Sequence, residues 1–134
     1  MSKKKRLSLF LLGLFYMVAG IMHFVKPEIY LKIMPPYLPA PLALVLLSGL
    51  AEFAGGLGLF FRKTRIPAAW GIIALLVAVF PANLYMYQHA VETAGAAYPG
   101  IAISTLYWRL WGQLPLILWA FWHTRREIAH PYPV

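Results

Sequence analysis

The chain has 134 residues, 61% of them hydrophobic, and a mean hydropathy of +0.67, too apolar for a soluble domain of this size to cover with polar surface. It has no cysteine, which excludes disulfides, iron–sulfur clusters, thiolate metal sites and thiol redox chemistry of its own. The net charge of +8 would suit nucleic acid, but the basic residues gather at the ends of apolar runs, as they do beside membrane spans, and this argues against a nucleic-acid partner.

Four apolar segments are each long enough to cross a bilayer: 7–25, 41–61, 66–87 and 101–122. They must be helical, because lipid cannot satisfy unpaired backbone groups. The predicted fold is therefore all-α: one transmembrane domain over residues 1–134, a polytopic four-helix bundle.

The first span follows Lys3, Lys4, Lys5 and Arg6. Basic residues before an apolar run also mark a signal peptide, with Val18, Ala19 and Gly20 as a weak cleavage site, but the run is longer than a signal core and an uncleaved span is expected. Gly13, Tyr16, Ala19, Gly20 and His23 share one face of it. The next loop predicts a short interfacial helix over Pro27–Met34, with Ile29, Tyr30, Ile33 and Met34 toward lipid or protein. Pro35, Pro36, Pro39 and Pro41 then impose extended backbone and a sharp return.

Glu52 lies in the middle of the second span. Eleven steps from Pro41 put its carboxyl roughly 16–17 Å deep. A charge at that depth costs about 2.5–3.5 kcal/mol on insertion scales. Such a group is paired, protonated or used. Ser48, Gly49, Glu52, Gly55 and Gly56 fall on one side, so Glu52 shares a face with small residues that favour close helix packing.

A short turn holding Arg62, Lys63 and Arg65 makes a tight hairpin into the third span. There Ala74, Ala78 and Ala82 repeat every four residues, Pro81 frees a backbone carbonyl, and Asn83 is a polar amide near the far end. Residues 88–100 are rich in small residues and predict a mobile loop. The fourth span carries Thr105, Arg109, Gly112 and Gln113 along one stripe, with Pro115 beyond. Arg109 is within side-chain reach of the depth of Glu52, and a Glu52–Arg109 pair would relieve the desolvation of both. The other outcome is an Arg109 that reaches the outer headgroups alone.

The basic residues set the direction. Lys3 to Arg6, Arg62, Lys63, Arg65, Arg125 and Arg126 are nine of the twelve Lys and Arg, and they fall on one side. Both termini are then cytoplasmic, in a membrane that this reading takes as the bacterial inner membrane. Trp70, Trp119 and Trp122 mark the inner interface, and Tyr85, Tyr87 and Tyr98 the outer one.

His23, Ser48, Glu52, Asn83, Arg109 and Gln113 would together line a polar cavity open toward the outer leaflet, a ligand-binding site by default in a membrane protein. No metal is expected. His89, His123 and His130 fall at or beyond the membrane edges, and a haem held by His23 and His89 is disfavoured.

Several short motifs resemble the DoxX-like family of small four-helix membrane proteins. They are Gly20, His23, Phe24 and Pro27; Pro35, Pro36 and Pro39; Ser48, Gly49 and Glu52; Arg65; and Phe80 to Met86. Span four matches only in character. The resemblance implies the fold, and an accessory role near quinone-linked redox enzymes. The leading functional expectation is an accessory or anchor subunit, not an enzyme on its own, that binds quinone or a similar lipid beside a redox partner. The alternatives are a non-catalytic lipid-binding or assembly protein, and a small proton or solute carrier using Glu52, which would require a homo-oligomer. An activity reporter that works only outside the cytoplasm should be silent at the C-terminus and at the Arg62–Arg65 turn; activity at either position would reverse the map.

Overall fold

In the computed structural model, which describes residues 2–32 and 34–125, six helices account for most of the chain. They are α1 (Lys3–Val25), α2 (Pro27–Lys32), α3 (Pro41–Gly58), α4 (Arg65–Glu92), α5 (Ile103–Trp111) and α6 (Gln113–Trp122). The first, third and fourth are long and apolar enough to cross a membrane. Ile33, Arg126, Glu127 and His130 lie outside the described residues.

Ser2 caps α1, its Oγ accepting from the Lys5 N–H at 3.1 Å. The first turn holds lysines and no acid, the wrong sign for the helix dipole. α1 stops before Pro27, which opens α2 at a position where a missing N–H does no harm. α2 ends at Lys32, two residues short of the expected Met34. Ala40, at φ +46°, turns the chain sharply into Pro41 and α3. In the turn between α3 and α4, Thr64 Oγ1 donates to the Gly58 carbonyl at 2.7 Å and Arg65 Nε to that of Leu59 at 2.9 Å. Two carbonyls at the end of α3 are satisfied in this way.

Two expectations are corrected. α4 runs to Glu92, past the expected end at Tyr87, and residues 93–101 are a folded run of turns rather than a bare loop. Ala94 and Gly95 have positive φ and end the helix, with the Gly95 N–H on the Ala90 carbonyl at 2.8 Å. Thr93 Oγ1 accepts from the Ala97 N–H at 3.2 Å. Tyr98 is then buried against Met86, Ala90 and Leu106. The fourth apolar segment is not one helix but two, broken at Gly112. Pro115 explains the position. It has no N–H for the Trp111 carbonyl four residues earlier, and its ring crowds that carbonyl, so α5 ends at Trp111.

The tightest packing joins α1 to α3. A Cβ placed on Gly20 would collide with the Gly49 carbonyl and the Phe53 backbone, and one on Gly56 would lie 2.6 Å from the Gly13 carbonyl. The two backbones touch through these glycines, the contact expected from the small-residue faces. Gly55 instead faces Ile72 of α4. On α4 the buried stripe is Ala69, Ile72, Leu76, Asn83, Met86 and Ala90. The repeat of Ala74, Ala78 and Ala82 is not that stripe: Ala74 and Ala78 are exposed. Apolar periodicity cannot orient a helix whose outer face is apolar too.

Two apolar clusters result. Leu9, Leu12, Leu59, Ile72, Leu76 and Ala120 form one at the end nearer the N-terminus of α1. Met86, Ala90, Tyr98 and Leu106 form the other. At the first end Trp119 Nε1 donates to Ser8 Oγ at 2.7 Å, and Ser8 Oγ lies 3.1 Å from His123 Nε2. Burial and the charges of Lys5 and Arg65 push the His123 ring down to about 4. It is therefore neutral near pH 7, and Nε2 can accept the Ser8 proton. This chain of bonds ties α6 to α1.

Replacing Gly20 by Val should destabilise the protein by about 1–3 kcal/mol or more through overpacking. Gly71→Ala, where nothing lies within 4 Å, should stay within about ±0.5 kcal/mol. Thermal unfolding in detergent measures both, and equal effects would mean that the α1–α3 contact is not formed.

Candidate functional site

The glycine contact sets the register of α1 against α3, and so places His23 on Glu52. Gly20 and Gly49 pass at touching distance, and a Cβ on Gly49 would meet His23 itself. One turn further along each helix, His23 Nε2 lies 3.2 Å from Glu52 Oε2. His23 Nδ1 lies 3.0 Å from the Val45 carbonyl and 3.2 Å from Ser48 Oγ, and Ser48 Oγ donates to the same carbonyl at 2.9 Å.

These contacts define the protons. A carbonyl only accepts, so Nδ1 carries a hydrogen. A bare Nε2 facing a bare carboxylate would set two lone pairs against each other in a low-dielectric interior. One proton therefore belongs to the Nε2–Oε2 pair, whether as imidazolium and carboxylate or as imidazole and carboxylic acid. In both forms the pair has no net charge, which is how the bundle holds a carboxyl at this depth. The distance suits a hydrogen bond but the direction does not: Oε2 lies off the axis of the ring N–H and has no well-aligned partner. The Tyr16 hydroxyl, on the same face of α1, is likewise enclosed without a partner.

Tyr30 of α2 stacks on the His23 ring, with centroids 3.8 Å apart and planes 25° apart. The ring is thus held at both nitrogens and covered on one face. Beyond it lies a cavity of about 570 Å³. α3 forms one wall through Leu44, Val45, Leu47, Ser48 and Ala51. α4 forms another through Leu75, Ala78, Val79, Ala82, Asn83 and Met86. Tyr30, Met34, Pro35, Tyr37 and Leu38 cover it, and Arg109 reaches it from α5. Tyr37 meets Tyr85 edge to face at 5.2 Å. Leu47 and Ala78 line the cavity and are also exposed on the outside, so the slot opens sideways between α3 and α4.

Of the six residues singled out from the sequence, His23, Ser48, Asn83 and Arg109 line this cavity. Glu52 stands behind His23. Gln113 is elsewhere, buried against α4 with Nε2 donating to the Leu76 carbonyl at 3.4 Å. The expected Glu52–Arg109 ion pair is not formed. Glu52 takes His23 instead, because α3 packs on α1 whereas α5 packs on α4 and α6. His89 stacks on Tyr85. Among the described residues no group of three metal-binding side chains occurs.

Asn83 and Arg109 are among the cavity residues with polar groups to spare. Asn83 is 7% exposed. Neither its amide nor the Arg109 guanidinium has a hydrogen bond or an ion pair among the described residues. Sequence reading missed Tyr30 and Tyr37. Tyr30 comes seven residues after His23, the spacing of one helix face, but Pro27 interrupts that helix and hides the signal.

The chain belongs to the family described as Domain of unknown function (DUF8561), whose model matches residues 12–124. Comparison with curated proteins and with solved structures finds no significant match.

Removing one member of the His23–Glu52 pair should cost about 3–5 kcal/mol if the other stays charged. His23→Leu and Glu52→Gln should each lower detergent stability, and the double variant should lose less than the sum. Strict additivity in this cycle would show that the two side chains do not share a proton.

Proposed function

We propose that this protein is an integral membrane protein that holds a membrane-soluble amphiphile, a quinone or a similar lipid, in the slot between α3 and α4. In this reading the chain crosses the membrane four times with both termini cytoplasmic, in the bacterial inner membrane. Residues 103–122 make the fourth crossing as a bent unit of about 30 Å.

The observation that carries the reading is the combination in one cavity of apolar walls and the polar side chains of Asn83 and Arg109, which make no hydrogen bond or ion pair among the described residues. Unsatisfied polar groups in an apolar site are costly, and a ligand that accepts hydrogen bonds from them removes the cost. The volume falls within the range of about 300–1,000 Å³ usual for small-molecule sites. A quinone fits on chemical grounds: its carbonyls accept from an amide and a guanidinium, and its ring and tail need an apolar slot. His23 is no direct ligand in this reading, since its nitrogens face Val45, Ser48 and Glu52. It orients the wall, and the shared proton keeps that wall neutral.

The chain supplies no redox centre of its own in this reading, and acts as an accessory or anchor subunit for a membrane redox enzyme. That part rests on the resemblance to DoxX-like proteins.

Protein purified in mild detergent should retain about one lipid or quinone per chain, read by solvent extraction and mass spectrometry. Asn83→Leu fills the same wall without the amide and should reduce retention about tenfold, the effect of losing one or two hydrogen bonds. Equal retention by the variant would remove Asn83 from the site, and no retained molecule in either protein would overturn the reading.

A further inference from the structure

Arg109 brings a fixed positive charge to the cavity; Tyr30 and Glu52 act on it at longer range, but no carboxylate among the described residues lies close enough to form an ion pair with it. The chain has four acidic residues, Glu28, Glu52, Glu92 and Glu127. Glu28 is in the first turn of α2 and Glu92 ends α4; both are exposed and neither lines the cavity. Glu127 lies outside the described residues. Glu52 shares a proton with His23, and that pair is neutral as a unit. Arg109 is not within ion-pair distance of any carboxylate among the described residues.

Arg109 is itself exposed, but its neighbours on α5 are apolar, so in lipid its charge is costly. Trp108 and Trp111, on either side of Arg109 in α5, are 67% and 43% exposed, as residues that face lipid are. Guanidinium does not lose its proton in proteins, so it cannot escape the cost by becoming neutral. A neutral ligand would satisfy some of its N–H groups and leave the charge. An anion satisfies both.

We propose that the molecule held in this cavity is a lipid with an anionic phosphate headgroup, its phosphate on Arg109 and Asn83 and one acyl chain in the slot that opens past Leu47 and Ala78. The inference rests on the proposed reading of the cavity as a ligand site, and it chooses the ligand class. The guanidinium presents a planar fork of donors that matches phosphate oxygens, and the buried Asn83 amide adds a donor beside it. The lateral opening lets a chain enter from the bilayer without leaving lipid.

The test uses the full chain in neutral detergent with equimolar phosphatidylglycerol, phosphatidylcholine and ubiquinone. Native mass spectrometry counts what each protein molecule holds. The wild type should prefer phosphatidylglycerol over phosphatidylcholine by about tenfold or more, because the choline cation offsets the phosphate charge that Arg109 would meet. Arg109→Gln should abolish the preference and Arg109→Lys should keep most of it. Replacing the exposed Arg62 and Lys63 by Gln, at the other end of the molecule, should leave it unchanged, and millimolar inorganic phosphate should not displace the lipid. The same preference in Arg109→Gln overturns the inference and sends Arg109 to the headgroups outside the cavity. Displacement by inorganic phosphate overturns the choice of a lipid. If ubiquinone is held in preference to phosphatidylglycerol, the inference fails and the cavity remains a ligand site. If nothing is held, both fail.

Discussion

The rest of the structure depends on one constraint: a carboxyl group half-way along a membrane-length helix must not be left charged and alone. Its neutralisation by His23 requires two helices to meet in one register. That register is set by glycine. Gly20 against Gly49, and Gly13 against Gly56, let the α1 and α3 backbones touch, and the touching backbones carry His23 to 3.2 Å from Glu52. In lipid there is no hydrophobic drive to push helices together, so close packing and a polar pair must do it. Here the two act at the same contact.

The pair also decides what the neighbouring cavity is. With both His23 nitrogens engaged and Tyr30 stacked on the ring, the residues with the strongest chemical character are turned to structural work. Asn83 of α4 and Arg109 of α5 are among the polar groups left facing the cavity. The cavity persists because packing is divided. The Leu12–Ile72–Leu76 cluster closes one end of the bundle and the Met86–Tyr98–Leu106 cluster the other. Between them α4 presents Ala78, Ala82 and Pro81, too small to fill the gap to α3.

The broken fourth segment belongs to the same picture. Pro115 ends α5 at Trp111 and leaves α6 to pack on α4 independently. Gln113, at the start of α6, is drawn to the Leu76 carbonyl and away from the cavity. Arg109, one turn earlier on α5, is not. A bend of this kind separates two polar residues that a straight helix would keep on one stripe.

Much of this was legible in the residue pattern. The apolar runs, their approximate limits, the short helix after span one and the small-residue faces of α1 and α3 follow from length and spacing, because lipid leaves a chain few ways to satisfy its backbone. The cost of Glu52 was also legible, since depth follows from counting residues along a helix. Its partner was not. Any of His23, Asn83 or Arg109 could lie opposite it until the helices have an order, and order is a property of packing. The alanine repeat of α4 shows a related limit: when lipid and core are both apolar, periodicity marks faces without saying which one is inside. The sequence by itself determined an all-helical membrane protein with an acid that needs a partner. Only the tertiary structure decided that the partner is His23, and that Arg109 reaches the cavity with no carboxylate among the described residues at ion-pair distance, because the contacts between α1 and α3 and between α5 and α4 join separate segments of the chain.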